Sequence, residues 1–258
     1  MNPPFAPREA RLLLAVLALV AFALFGPALA QPASYHAFAD QHLRWGLAHA
    51  GDVLSNLPFA LVGLAGAWRL ARASGLAAVE RGLGALACAG LVLTGAGSTW
   101  YHLNPDDAGL VVDRLAMAVA FAGLLGLAAC RVSARAGAAL AAFLLVAAPL
   151  SVASWATTGN LTPWAALQAG GLLLLVVLAA TTAAPAATPI RWGWVVAGYA
   201  LAKLLELGDH AVWEFTGQWL SGHSLKHVVA ALAVVPVIAA WRPGERAGQN
   251  AGQRAHAA

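Results

Sequence analysis

Eight runs of predominantly apolar residues follow one another along the chain, at about 12–30, 53–70, 83–103, 109–129, 137–155, 164–181, 192–209 and 223–241. A helix needs about 20 such residues to cross a hydrocarbon core roughly 30 Å thick, so each run is a candidate span. The connections are short and punctuated, by Asn104-Pro105-Asp106-Asp107 after the third run and by Pro185 and Pro189 after the sixth. With 258 residues, 60% of them hydrophobic and 10% charged, against about 25% charged in soluble domains, there is no room for a separate soluble domain. The expected fold class is all-α, a polytopic transmembrane helix bundle with a seven-helix core and one extra N-terminal helix.

The division of the chain follows from the same pattern. Residues 1–30 read as an N-terminal transmembrane helix, with a signal peptide as the alternative. Arg8 and Arg11 before an apolar stretch ending in Ala28-Leu29-Ala30 fit both, although Gly26-Pro27 is awkwardly placed for processing. Residues 50–241 hold the seven-helix domain. The tail at 242–258, rich in Gly, Gln, Ala and Arg, is expected to be disordered and cytoplasmic.

Charge sets the orientation. The formal net charge of +4 does not point to nucleic acid, because the basic residues sit beside apolar runs. Arg8, Arg11, Arg69, Arg72, Arg81, Arg131, Arg135, Arg191, Arg242, Arg246 and Arg254 all fall on one side of the predicted topology, and Arg44 alone falls on the other. The positive-inside rule makes the first side cytoplasmic. Thirteen Arg against two Lys, with much alanine, suggest a GC-rich bacterial genome. A bacterial inner membrane is the expected location. Cys88 and Cys130 lie within apolar runs and are read neither as disulfide partners nor as metal ligands.

Polar residues inside spans are costly and are functional suspects by default. Ser98 and His102 are near the outer end of the third run, and Asp113 is early in the fourth. Folding the intervening hairpin about Pro105-Asp106 brings Asp113 level with Ser98. His223 and His227 open the eighth run from the same outer, periplasmic side. They stand at i and i+4, on one helix face. Three neutral imidazoles with a vacant fourth position are the donor set of a catalytic zinc, which holds a water there and lowers its pKa towards about 7. Asp113 could orient that water or shuttle its proton. Simpler readings stand beside this one: a membrane histidine often serves helix–helix hydrogen bonding, and Asp113 could pair with the adjacent Arg114.

Ser55-Asn56-Leu57-Pro58-Phe59, Gly97-Ser98-Thr99-Trp100-Tyr101-His102 with Asp113, and His223-Ser224-Leu225-Lys226-His227 resemble the successive motifs of the alkaline ceramidases. These belong to the CREST superfamily of seven-helix membrane hydrolases. The resemblance covers roughly residues 50–241. It implies an intramembrane Zn2+ held by His102, His223 and His227, and hydrolysis of the amide bond of a ceramide-like N-acyl lipid. It also implies that Ser98 stabilises the oxyanion and that Asp113 acts as general base and then as acid on the leaving amine. Asp209 resembles a family acidic position, with helix capping or pairing to Lys226 as its alternatives. The pattern breaks at Arg114, where the family tends to have Glu, and at Lys226, where it tends to have Trp. The segment bearing His36, Asp40, His42 and His49 also lacks the family's acidic calcium-binding pattern, so no calcium is expected.

Lys203, Glu206 and His210 share one face of the seventh run and suggest an internal ion pair. Trp155, Trp164, Trp192, Trp194, Trp213, Trp219 and Trp241 read as interfacial anchors, and Gly82, Gly84, Gly90, Gly95 and Gly97 as sites of close helix packing. The alternative function is a non-hydrolytic membrane receptor, or a metal or proton transporter, using the same histidines. Transporters usually place polar groups at the midplane or at both faces. Here, Lys203 and Glu206 apart, they crowd one face, which favours the enzyme.

Overall fold

Each apolar run folds as helix. A computed structural model describes residues 5–243, so the expected tail lies, from 244 onward, outside the described residues. The elements are α1 (Pro7–Phe25), a two-stranded hairpin of β1 (Leu43–Arg44) and β2 (Leu47–Ala48), α2 (Ala50–Leu54), α3 (Leu57–Arg72), α4 (Ala78–Leu103), α5 (Asp107–Ala129), α6 (Ala134–Thr158), α7 (Thr162–Ala180), α8 (Trp192–Leu207), α9 (Asp209–Phe215), α10 (Gly222–Leu232) and α11 (Val235–Ala240). The chain is an all-α membrane-spanning bundle. Six stretches among the described residues are long and apolar enough to cross a membrane: Ala50–Arg72, Ala78–Leu103, Asp107–Ala129, Ala134–Thr158, Thr162–Ala180 and Gly222–Ala240. The other two predicted runs fall short of that standard. Three charged residues, Arg8, Glu9 and Arg11, stand near the start of α1, and α8 has 16 residues, a length of about 24 Å.

Helix starts follow capping chemistry. The side chains of Asp106, Ser133 and Ser221 accept hydrogen bonds from the backbone N–H groups of Gly109, Ala136 and Ser224, opening α5, α6 and α10. The Asp106 cap fixes the α4–α5 hairpin where the sequence places it.

Small residues let α4 and α5 touch backbone to backbone. A Cβ at Gly90 would lie 2.3 Å from the Ala120 nitrogen, and one at Gly123 would lie 2.4 Å from the Ala87 nitrogen. Lipid tails are as apolar as leucine, so association of spans depends on such close van der Waals contact. Gly82 is different: a Cβ there would meet nothing within 4 Å, which corrects its reading as a packing position. α1 lies on α7, where a Cβ at Gly170 would come within 2.6 Å of Leu19.

The tryptophans need a correction. Trp194 and Trp219 are exposed as anchors would be, but Trp155, Trp164, Trp192, Trp213 and Trp241 are buried inside the protein. Their rings fill space between helix ends; Trp241, for example, packs where Gly84 leaves room for it.

Hydrogen bonds tie the helix ends together on two opposite sides. On one, Arg69 donates to the Trp241 carbonyl at 2.8 Å, Arg131 to that of Leu178 at 2.7 Å, and Thr188 to Glu80 at 2.8 Å. On the other, the segment after α1 runs across the bundle. Its Leu29 N–H donates to Thr162 at 3.0 Å, Gln31 reaches Asp107 at 3.2 Å, and the Ala39 N–H donates to Asp209 at 2.9 Å. Arg69 and Arg131, two of the basic residues that define the predicted cytoplasmic side, therefore lie opposite the candidate site.

Candidate metal centre

His102 comes from the last turn of α4, and His223 and His227 from the first two turns of α10. All three are buried, at 1%, 5% and 4% exposure. One ligand nitrogen of each lies within 4.8 Å of the others, and the ring centroids are 4.8–5.1 Å apart. The Nε2 atoms of His102 and His223 face each other at 3.2 Å. Two nitrogens bonded to one tetrahedral zinc at about 2.0–2.1 Å are on the order of 3.3 Å apart. The group could therefore hold a metal ion, and its all-imidazole donor set suits a borderline metal such as zinc.

Neighbouring groups orient these rings. Ser55 donates its O–H to the Asp52 carbonyl at 3.1 Å, so its oxygen accepts from His227 Nδ1, 2.8 Å away. That fixes the proton on Nδ1 and leaves the His227 Nε2 lone pair free for a ligand role. The Asp209 carboxylate accepts from the backbone N–H of His223 at 2.8 Å and from that of Ala39 at 2.9 Å. Asp209 thus caps the start of α10 and anchors the crossing segment, and it does not pair with Lys226. Asp52 accepts from Ser221 at 2.8 Å and from Ser224 at 2.6 Å, locking α2 to α10. Phe38, in the crossing segment, covers the rings, with its centroid 4.3 Å from that of His223 and 4.8 Å from that of His102.

Ser98 and Asp113 meet beside this group. Gly97 allows it, since a Cβ there would lie 3.0 Å from Ala116 and 3.6 Å from the Asp113 Cα. The Ser98 hydroxyl stands beside the Asp113 carboxylate, whose Oδ1 is buried without a hydrogen-bond partner. No hydrogen bond or ion pair joins Asp113 to Arg114 among the described residues. The Arg114 side chain instead donates to Gln31 at 2.7 Å and stacks over Trp155 at 4.0 Å.

Ser98, Asp113 and His227 line one cavity of about 80 Å3, with Arg114, Lys203, Glu206 and Lys226 on its walls. Phe59, Thr94, Met117, Gln168, Tyr199 and Ala230 belong both to this cavity and to an adjoining apolar cleft of about 120 Å3 that runs on towards Leu124, Leu175 and Val234. A polar pocket thus continues into an apolar one. The expected Lys203–Glu206 pair is present, with Lys226 as its third member at 2.6 Å from Glu206. His210 is not part of it and lies 3.1 Å from the Ala37 carbonyl oxygen. No protein-family model matches the chain, and comparison with curated proteins finds no match.

The sequence pattern brings out the three histidines, Ser98 and Asp113. It does not single out Phe38 or Asp52, and it quotes Ser55 without a role. A polar Ser55-Asn56 pair opening an apolar run is the one signal that could have flagged Ser55.

Proposed function

We propose that the chain is an integral membrane, zinc-dependent hydrolase that cleaves the amide bond of a ceramide-like N-acyl lipid. The observation that carries the reading is a polar cavity lined by His227, Ser98 and Asp113 that shares a wall with an adjoining apolar cleft. Such a shape fits a polar amide headgroup followed by an acyl chain. A metal held by His102, His223 and His227 would supply activation of water and polarisation of the amide carbonyl. Hydrolysis adds a water oxygen to the carbonyl carbon and breaks the C–N bond, releasing a fatty acid and an amine. Asp113 Oδ1, which has no other partner, takes the proton of the attacking water and returns it to the leaving nitrogen. The Ser98 hydroxyl donates to the carbonyl oxygen as that oxygen gains charge. Phe38 shields the histidines from bulk water. Lys203 and Glu206, the polar pair nearest to a transporter's pattern, line this same cavity, which favours the hydrolase.

Elemental analysis of the purified protein, with lipid hydrolysis measured alongside, tests the reading. Wild type should carry about one zinc, and His102→Ala, His223→Ala and His227→Ala should lose it together with activity. Stoichiometric zinc in all three variants would remove these residues from the ligand set. Zinc-loaded wild type that hydrolyses no ceramide, N-acyl amino acid or N-acyl ethanolamine would move the reading to a non-hydrolytic receptor or transporter.

The cavity is assigned to the outer, periplasmic side of a bacterial inner membrane because it lies opposite the arginine-rich ends. An impermeant thiol reagent on intact cells should label Asp106→Cys and not Ala186→Cys. Cys88 and Cys130 are free and buried, so background labelling is low. The reverse pattern would place the site on the cytoplasmic face.

A further inference from the structure

We infer that the amide lipid taken by this cavity carries an anionic group, a carboxylate or a phosphate, on the amine side of the scissile bond, and that Lys226 and Arg114 bind it. The inference rests on the amide-hydrolase reading and specifies its substrate. Three cations, Arg114, Lys203 and Lys226, line the polar cavity with two carboxylates, Asp113 and Glu206, an excess of one positive charge. Both oxygens of Glu206 are taken, one by Lys203 and one by Lys226, and Lys203 reaches Gln168 as well. Two ammonium groups therefore share one carboxylate. Lys226 makes this single hydrogen bond although its ammonium carries three donors.

Arg114 is the second, independent sign. Its residue is 2% exposed, and its Nε and Nη1 are buried with no hydrogen-bond partner. Trp155, Trp164 and Tyr35 hold the guanidinium at 4.0, 5.6 and 5.4 Å from their ring centroids. Cation–π contacts orient the fork and leave Nε and Nη1 without an acceptor. A buried cation with unused donors is costly unless something pairs with it, and a planar fork suits a carboxylate or a phosphate. With the acyl chain in the apolar cleft and the amide near Ser98, the anion falls on the amine side.

The test uses the full chain in detergent, with three amides of one acyl chain: N-palmitoylglycine, N-palmitoyl-phosphoethanolamine and the neutral N-palmitoylethanolamine. At least one anionic amide should be preferred by about 10-fold or more in kcat/KM, the scale of a charge-assisted contact. The difference between the two anionic arms identifies the carboxylate or the phosphate. Lys226→Met, which leaves Lys203 and Glu206 paired, should abolish the preference, and Lys226→Arg should retain it. Arg114→Gln gives the same readout should Lys226→Met fail to fold. Direct binding of radiolabelled N-palmitoylglycine and of its methyl ester to Asp113→Asn supplies a readout independent of turnover. Equal cleavage and equal binding of charged and neutral amides would overturn the inference and leave the hydrolase standing. Lys226-dependent binding of the acid without cleavage of any amide by wild type would keep the anion site and remove the hydrolase.

Discussion

The two halves of α4 differ although they belong to one continuous buried stripe. Gly84, Ala87, Leu91, Gly95, Ser98 and His102 recur at helical spacing along its inner face. Below Leu91 the stripe is small and apolar, and α4 meets α5 with backbone atoms almost in contact at Gly90 and Gly123. Above it the stripe becomes polar, and what touches it is a network: Asp113 at Ser98, His223 at His102, and Phe38 over the rings. The lower half fixes distance and the upper half fixes orientation. Substitutions in the upper half should therefore cost chemistry with little stability, and those in the lower half the reverse.

The largest separation is expected at Asp113. Asp113→Asn keeps the volume and leaves the three imidazoles untouched, so zinc content should stay near normal. Hydrolysis should fall by about 100-fold or more, the scale of lost acid–base help. Ser98→Ala should lose a comparable or smaller factor, as for a removed oxyanion donor. Should Asp113→Asn unfold the protein or strip the metal, Asp113 is structural or a ligand, and the division between the two halves fails.

The lower half was readable in the sequence because it obeys one rule, apolar residues at a helical period. The upper half was readable only where periodicity and one turn suffice. His223 and His227 are four residues apart on one helix, and Ser98 and Asp113 meet because a capped hairpin has a fixed reach. Phe38 and Asp209 act through the segment at 26–49, whose path across the bundle depends on hydrogen bonds to residues more than a hundred positions away, such as Leu29 to Thr162, and Asp52 acts through Ser221 and Ser224, as far along the chain. No local pattern encodes that. Lys226 joins Glu206 for a similar reason, since α8 and α10 meet only after folding. The tryptophans misled because a ring at a span end can face lipid or protein, and Trp155 and Trp164 turn inward onto Arg114.

A milder effect is expected at Ser55, which touches the proposed centre through His227 alone. Ser55→Ala removes the acceptor for Nδ1–H and frees the ring to rotate or to switch tautomer. Losing such an outer partner typically costs 10- to 100-fold in metal affinity. Competition with a graded series of chelators should show the drop at unchanged thermal stability. Unaltered affinity would mean that packing against Phe59, 6.2 Å away, and not the hydrogen bond, sets the His227 ring.

The smallest effects belong to the lower half and test the distance argument directly. Gly90→Ala puts a methyl 2.3 Å from the Ala120 nitrogen, so α4 and α5 must move apart, at a cost of about 1–3 kcal/mol by the usual scale of overpacking. Gly82→Ala sits on the same helix with nothing within 4 Å. It should be neutral or stabilising by up to about 1 kcal/mol through helix propensity. Thermal unfolding in one detergent compares the pair, and zinc content and turnover per folded molecule should be unchanged in Gly82→Ala. If Gly90→Ala is as stable as Gly82→Ala, backbone contact does not hold these two helices. The register that brings Asp113 to Ser98 must then come from the Asp106-capped turn alone.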